Sequence, residues 1–354
     1  MERELNSRSL ARVFNPTANS LNAIRLALAT VVILSHSWPV TGAGEDPLLG
    51  GQDWGDWAVG GFFAISGYLI TASRDTTAQL RVFAWKRFLR IYPGYFCALL
   101  AVAFIAAPLS TVFTGEPWRA TDSLGYVWRN LTLLITTPGI GSTLTDSPVA
   151  NSWNNPLWTL AYETACYALI GLTFTVIPPK FRLATVIVAG VACSIFLVLA
   201  SGGLILIPVV VIKGLQLGAY FAAGAFLYLG RSRITMRWPL LLTVALFLGI
   251  TIALKIDAIF APLPLALLLM WAGVKLPLQR LGASNDLSYG TYIYGFPVQQ
   301  LIHIALPTVN GPLLFALMSV VATLPLAWLS YRFVERPALK YKSLQITRLR
   351  EKAG

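Results

Sequence analysis

Three stretches of an otherwise apolar chain carry side chains able to do chemistry. Arg25 and His36 stand eleven residues apart. At 100° and 1.5 Å per residue a helix returns them to nearly the same face, separated by roughly 16 Å along its axis. Histidine can take up or carry a proton near neutral pH. Arg87 and Arg90, inside the run 85–93 (WKRFLRIYP), share a helix face three residues apart. Two guanidinium forks in that arrangement suit phosphate oxygens, because arginine binds them bidentately and keeps its charge. The third stretch is the polar and aromatic segment 151–163 (NSWNNPLWTLAYE), where Asn151, Trp153 and Trp158 offer hydrogen bonds and flat apolar faces fit for a sugar, and Glu163 follows inside an apolar run. Each has a plain alternative. Arg25 fits snorkelling to lipid phosphates, His36 interfacial packing, the Arg87/Arg90 pair an ordinary basic loop, the tryptophans interfacial anchors, and Glu163 a buried partner to an arginine.

The elements that must position these residues are helices in a bilayer. Hydrophobic side chains make up 56% of the 354 residues and charged ones only 12%, about half the charge of an ordinary soluble domain. Apolar segments near 21–37, 57–72, 91–108, 157–177, 183–200, 214–229, 239–254, 258–275, 287–306 and 311–333 predict about ten transmembrane helices in an all-α integral membrane protein. The 27 Lys and Arg outnumber the 15 Asp and Glu, yet they lie in alternate short loops, which points to membrane topology rather than nucleic acid. The N-terminus with Arg3, Arg8 and Arg12, the segments 74–90, 180–182, 231–237 and 275–280, and the tail after Arg332 fall on one side, so both termini are expected in the cytoplasm. The first outer loop carries Glu45, Asp46, Asp53 and Asp56. Segment 125–137 contains Arg129 and Asn130 and is expected not to cross, since crossing would invert every later basic loop. Segment 203–212 fits either a re-entrant piece or an extension of the next span. The first span is expected to break at Pro39. The domain reading is a cytoplasmic tail (1–20), one polytopic membrane domain (21–335) and a basic cytoplasmic tail (336–354), with no removable signal peptide. Cys97, Cys166 and Cys193 have neither disulfide nor metal-ligand spacing and are expected to pack in the apolar interior; no metal is implied.

Taken in order, the motifs resemble those of acyltransferase family 3, the integral-membrane acyltransferases of surface glycans and related acceptors. Arg25 through His36 is similar to the family's arginine, ten residues, then histidine. Residues 61–70 (GFFAISGYLI) resemble its F-F-x-I-S-G-Y/F-L-I signature, Arg87 and Arg90 its R-x-x-R pair, and 156–163 (PLWTLAYE) its W-S-L-x-x-E. Residues 288–297 (SYGTYIYGFP) resemble its S-Y-x-I-Y-L-x-H-x-P, and 335–337 its closing E-R-P. The resemblance runs from end to end.

It implies transfer of an acyl group, usually acetyl, from cytoplasmic acyl-CoA to a hydroxyl of a glycan or lipid-linked sugar, in a multi-pass protein of a bacterial cytoplasmic membrane. Acyl-CoA is then a donor substrate rather than a bound cofactor. Arg25, Arg87 and Arg90 would serve it, His36 would act as base or transient acyl carrier, and Asn151, Trp153 and Trp158 would face the acceptor. Glu163 would orient His36, pair with an arginine or bind acceptor, and Ser66 reads as a packing hydroxyl. Two features depart from the pattern. Residues 294–296 (YGF) stand where many relatives have a histidine, with His303 too far along to replace it, and 354 residues leave no room for the hydrolase-like domain that some relatives append. The rival reading is a secondary transporter for a small polar solute, which also has about ten spans and intramembrane charge but gives no reason for the arginine pair.

Overall fold

The computed structural model describes residues 9–282 and 285–342; Arg3, Arg8 and the tail from 343 lie outside them. A one-turn helix α1 (Leu10–Val13) precedes α2 (Leu21–Thr41). The hairpin of β1 (Leu48–Leu49) and β2 (Gln52–Asp53) is antiparallel and leads into α3 (Trp54–Asp75). Helix α4 (Leu80–Ala101) passes through a π-helical turn, Val102–Ala106, into α5 (Ala107–Thr114), and α6 (Ala120–Arg129) follows. A 3₁₀ turn, Asn155–Trp158, feeds α7 (Thr159–Val176), and then come α8 (Pro179–Ser201), α9 (Val209–Leu229), α10 (Trp238–Ala253), the single turn α11 (Asp257–Phe260) and α12 (Pro262–Lys275). Helices α13 (Ser288–Ala305) and α14 (Pro312–Ser330) complete the set, α14 running through a second π turn, Tyr331–Glu335, into α15 (Arg336–Lys340).

Every apolar segment expected to span coincides with a helix, but the helices differ in kind. Five among the described residues are long and apolar enough to cross a bilayer: Leu21–Thr41, Leu80–Thr114, Pro179–Ser201, Val209–Leu229 and Pro312–Lys340. Helices α10 and α12 are apolar but shorter. The remaining three, α3, α7 and α13, are those that carry Ser66, Glu163 and the pair Gln299 and Gln300. The protein is thus a multi-pass, predominantly helical membrane protein with almost no strand among the described residues. The continuous Leu80–Thr114 helix has 35 residues, about 52 Å, against a hydrocarbon core of about 30 Å. Its basic end, Lys86 to Arg90, therefore extends past the apolar stretch. Helix α6, with ten residues, reaches about 15 Å, half of a crossing. In 203–212, turns give way to the first residues of α9.

Helix α2 does not break at Pro39 but runs on to Thr41. Proline that close to a helix end forfeits one intrahelical bond, and two residues on the Thr41 hydroxyl donates to the Ser37 carbonyl at 2.7 Å. Gly42, at φ +72°, then turns the chain back.

The chain forms two compact units, one of residues 1–28, 48–83 and 162–284, the other of 29–47, 84–161 and 285–354. In the first, the Asp53 carboxylate caps α3 by accepting from the Asp56 N–H at 2.6 Å. Helices α3 and α9 then meet backbone to backbone. A Cβ on Gly67 would lie 2.1 Å from the Phe221 carbonyl oxygen, and one on Gly224 would lie 1.9 Å from that of Ala64. Only glycine permits this approach. Leu10, Leu21, Ile65, Tyr68, Leu227 and Met270 fill the adjoining core. In the second unit α13 is buried on all sides from Ser288 to Gln300, and its Gly290 lies against Ala327 of α14.

Candidate active site

In the second unit the turn after α2 carries Asp46 back to the histidine. His36 Nδ1 and Asp46 Oδ1 are 3.1 Å apart, and the Ser35 hydroxyl donates to the same oxygen at 2.6 Å. Burial pushes the Asp46 carboxyl up, but the hydrogen bond and charge of His36 and the bond from Ser35 together hold it below the ordinary carboxylate range. With Nδ1 turned to the Asp46 carboxylate, Nε2 is the ring nitrogen left to exchange a proton with a substrate. The imidazole also meets the Phe296 ring edge-to-face, centroids 5.5 Å apart. The sequence reading placed Asp46 among the outer-loop charges and missed this contact. The signal was a carboxylate ten residues after the histidine, separated from it by a glycine-bearing turn.

Two residues of α13 secure the flanks of His36. Gln299 is fully buried and donates to the Ile33 carbonyl at 2.8 Å and the Ser37 hydroxyl at 3.0 Å. Gly295 packs on Ile33, where a Cβ would come within 2.7 Å of Ile33 Cγ1. Gly295 thus accommodates the first long helix, and a bulkier residue would displace Ile33.

At the basic end of α4 one of the two arginines has a defined carboxylate partner. Arg90 is ion-paired with Asp286, whose other oxygen accepts from the Ser288 N–H and hydroxyl. Asp286 thus offsets the charge of Arg90. Asp286 lies two residues before α13, in a segment the sequence reading left unassigned.

The segment leading to Asn151 and Trp153 is ordered by polar groups. Asn130 Oδ1 accepts from the Thr136 and Thr137 N–H groups. The Glu116 carboxylate accepts from the Leu144 and Thr145 N–H groups and the Thr145 hydroxyl, bonds that outweigh burial and hold its carboxyl low. Gln300 donates to the carbonyls of Val149 and Ser152, both at 2.9 Å. Trp153 is completely buried, its indole N–H donating to Thr143 at 2.8 Å. This corrects the expectation for Trp153: it is a core anchor of the segment and presents no face to a sugar. Asn151, exposed at φ +52°, and the half-buried Trp158 remain accessible.

Arg25 and Glu163 belong to the first unit. The Arg25 guanidinium lies over the Phe62 ring, 5.9 Å from its centroid. Glu163 Oε1 accepts from Ser66 at 3.1 Å and from Tyr167 at 2.5 Å. Ser66 is therefore engaged by the carboxylate as well as packed, and the carboxylate beside His36 is Asp46.

Known proteins share this chain over nearly its full length. An O-acetyl transferase of Shigella phage Sf6 is 25% identical over 336 residues, 93% of this chain and 98% of that one. Nodulation protein 10 of Rhizobium leguminosarum bv. viciae is 27% identical over 368 residues, 93% of this chain and 95% of its own. An uncharacterized protein of Haemophilus influenzae matches 40% of the chain at 29% identity. No solved structure matches. The family model described as an acyltransferase domain matches residues 18–332, so the chain belongs to the membrane acyltransferase family 3 and is an O-acetyltransferase-like enzyme.

Proposed function

We propose that the enzyme moves an acetyl group from cytoplasmic acetyl-CoA to a hydroxyl of a glycan or lipid-linked sugar, with the His36–Asp46 pair as the catalytic base. The observation that carries this reading is the 3.1 Å contact between His36 Nδ1 and Asp46 Oδ1. A base oriented by a carboxylate is the arrangement that acyl transfer to a hydroxyl requires. The acceptor oxygen forms a bond to the thioester carbon while its proton passes to His36 Nε2. The carbon–sulfur bond then breaks, and the CoA sulfur takes up the proton as it leaves. Asp46 stabilises the imidazolium in between.

Arg87 and Arg90 are the donor-side cations in this reading, with Arg25 a further cation on the helix that carries His36. Asn151 and Trp158 are the acceptor-side contacts. We assign Glu163 to holding Ser66 and Tyr167 rather than to proton transfer. Ten crossings with both termini in the cytoplasm, in a bacterial cytoplasmic membrane, complete the proposal. The loop charges support it, and it lets one helix present cations to cytoplasmic acetyl-CoA. The test is whether purified protein transfers label from acetyl-CoA to a lipid or glycan acceptor and releases CoA.

A further inference from the structure

Helix α13 carries a proline, Pro297, in its interior. Proline has no N–H, so the carbonyl four residues earlier, that of Ile293, is left without its helical donor. The side chain of Asn154 takes the donor's place: its Nδ2 donates to the Ile293 carbonyl at 2.8 Å. Asn154 is itself buried, and the Oδ1 of the same amide has no hydrogen-bond partner among the described residues. An apolar side chain of equal size would not carry that cost. What the amide offers in return is the bond to Ile293.

That bond lies where α13 meets the helix of the histidine. Gly295 packs on Ile33, Phe296 meets the imidazole of His36 edge-to-face, and Gln299 donates to the Ile33 carbonyl and the Ser37 hydroxyl. Each of the three lies within two residues of Pro297. A helix bends most readily at a proline, where its ladder of bonds is interrupted, and a bend here would shift Phe296 and Gln299 against the histidine. The preceding residue of α13 adds a second tether. The Tyr292 hydroxyl donates to the Pro156 carbonyl at 2.9 Å and lies 2.6 Å from the Thr159 hydroxyl. The segment 154–159, which also holds Trp158, is thereby fixed to α13 at two successive positions.

We propose that Asn154 is a positioning residue for acyl transfer: its amide supplies the hydrogen bond that Pro297 denies to Ile293, and so holds Phe296 and Gln299 in place against His36. This rests on the reading of His36 as the base.

The test is a double-mutant cycle on the full chain in nanodiscs, read as label transfer from acetyl-CoA. Leucine matches asparagine in shape but cannot donate, and Pro297→Ala returns a backbone N–H to the helix. Asn154→Leu should lower kcat about tenfold, the scale of one buried carbonyl left unpaired, with the KM for acetyl-CoA unchanged. Made in the Pro297→Ala background, the same substitution should cost less than about twofold, since Ile293 then has its helical donor. The chain has two histidines, so NMR of ring-labelled histidine resolves His36, with His303→Gln giving the assignment. The His36 signal should move when Asn154→Leu is made beside Pro297 and stay in place when it is made in Pro297→Ala, a pattern that a general loss of stability would not produce. Equal losses in both backgrounds, an unmoved His36 signal in Asn154→Leu, or a double variant that fails to fold would overturn the inference. Normal transfer by His36→Gln would instead overturn the reading of His36 as base and leave the coupling of Asn154 to Pro297 readable in the His36 signal, so the two failures are distinguishable.

Discussion

At the residue scale the account turns on what a carboxylate does for His36. The type of each candidate was legible in the sequence, but the partners were not. Asp46 reaches His36 only because α2 continues past Pro39 and Gly42 adopts φ +72°, neither of which residue spacing reveals. Trp153 shows the converse: tryptophan in a polar segment suits a sugar platform or a buried anchor equally well, and packing decides. Asp46→Asn keeps the side chain's size and removes its charge. Acetyl transfer should fall at least about a hundredfold, the low end of what a general base contributes, while the KM for acetyl-CoA stays near wild type. The pH dependence follows from the depressed Asp46 carboxyl. A carboxyl lowered in the folded state contributes stability above its unfolded value, about 3.9, and loses it as pH falls through the folded value. Asp46 is therefore ionised across the neutral range, and a rate profile from pH 5 to 9 should show no limb that disappears in Asp46→Asn.

At the element scale, hydropathy located the helices well because each apolar segment must satisfy its own backbone hydrogen bonds. It could not say which helices touch. The α3–α9 crossing depends on Gly67 and Gly224, whose sequence neighbours give no hint that each abuts a backbone carbonyl. Gly67→Ala places a methyl 2.1 Å from the Phe221 oxygen and forces the helices apart. It should lower stability by about 1–3 kcal/mol, read as reduced thermal tolerance in detergent. Gly249→Ala on α10, where nothing lies within 4 Å of the added carbon, should leave stability unchanged or raise it slightly.

At the scale of the whole molecule, the loop-charge pattern makes a topological claim that chemistry can check. In a background lacking Cys97, Cys166 and Cys193, cysteines at the exposed positions Glu45 and Ser142 should react with an impermeant thiol reagent applied to intact cells. Those at the exposed positions Arg81 and Ser232 should react only after permeabilisation. Labelling of Arg81→Cys from outside would invert the orientation and place the Arg87/Arg90 cluster away from cytoplasmic acyl-CoA. The end-to-end order of motifs made the family legible from sequence, because several short patterns in one order are specific where each alone is not. The central claim is that His36 takes the proton in acyl transfer. The measurement that bears on it most directly is label transfer from acetyl-CoA to acceptor by wild type and by His36→Gln, both purified in the same membrane-inserted form. The account predicts transfer by wild type and none above background by His36→Gln, since glutamine matches the imidazole in hydrogen bonding but cannot accept a proton. Near-normal turnover by the glutamine variant would contradict it.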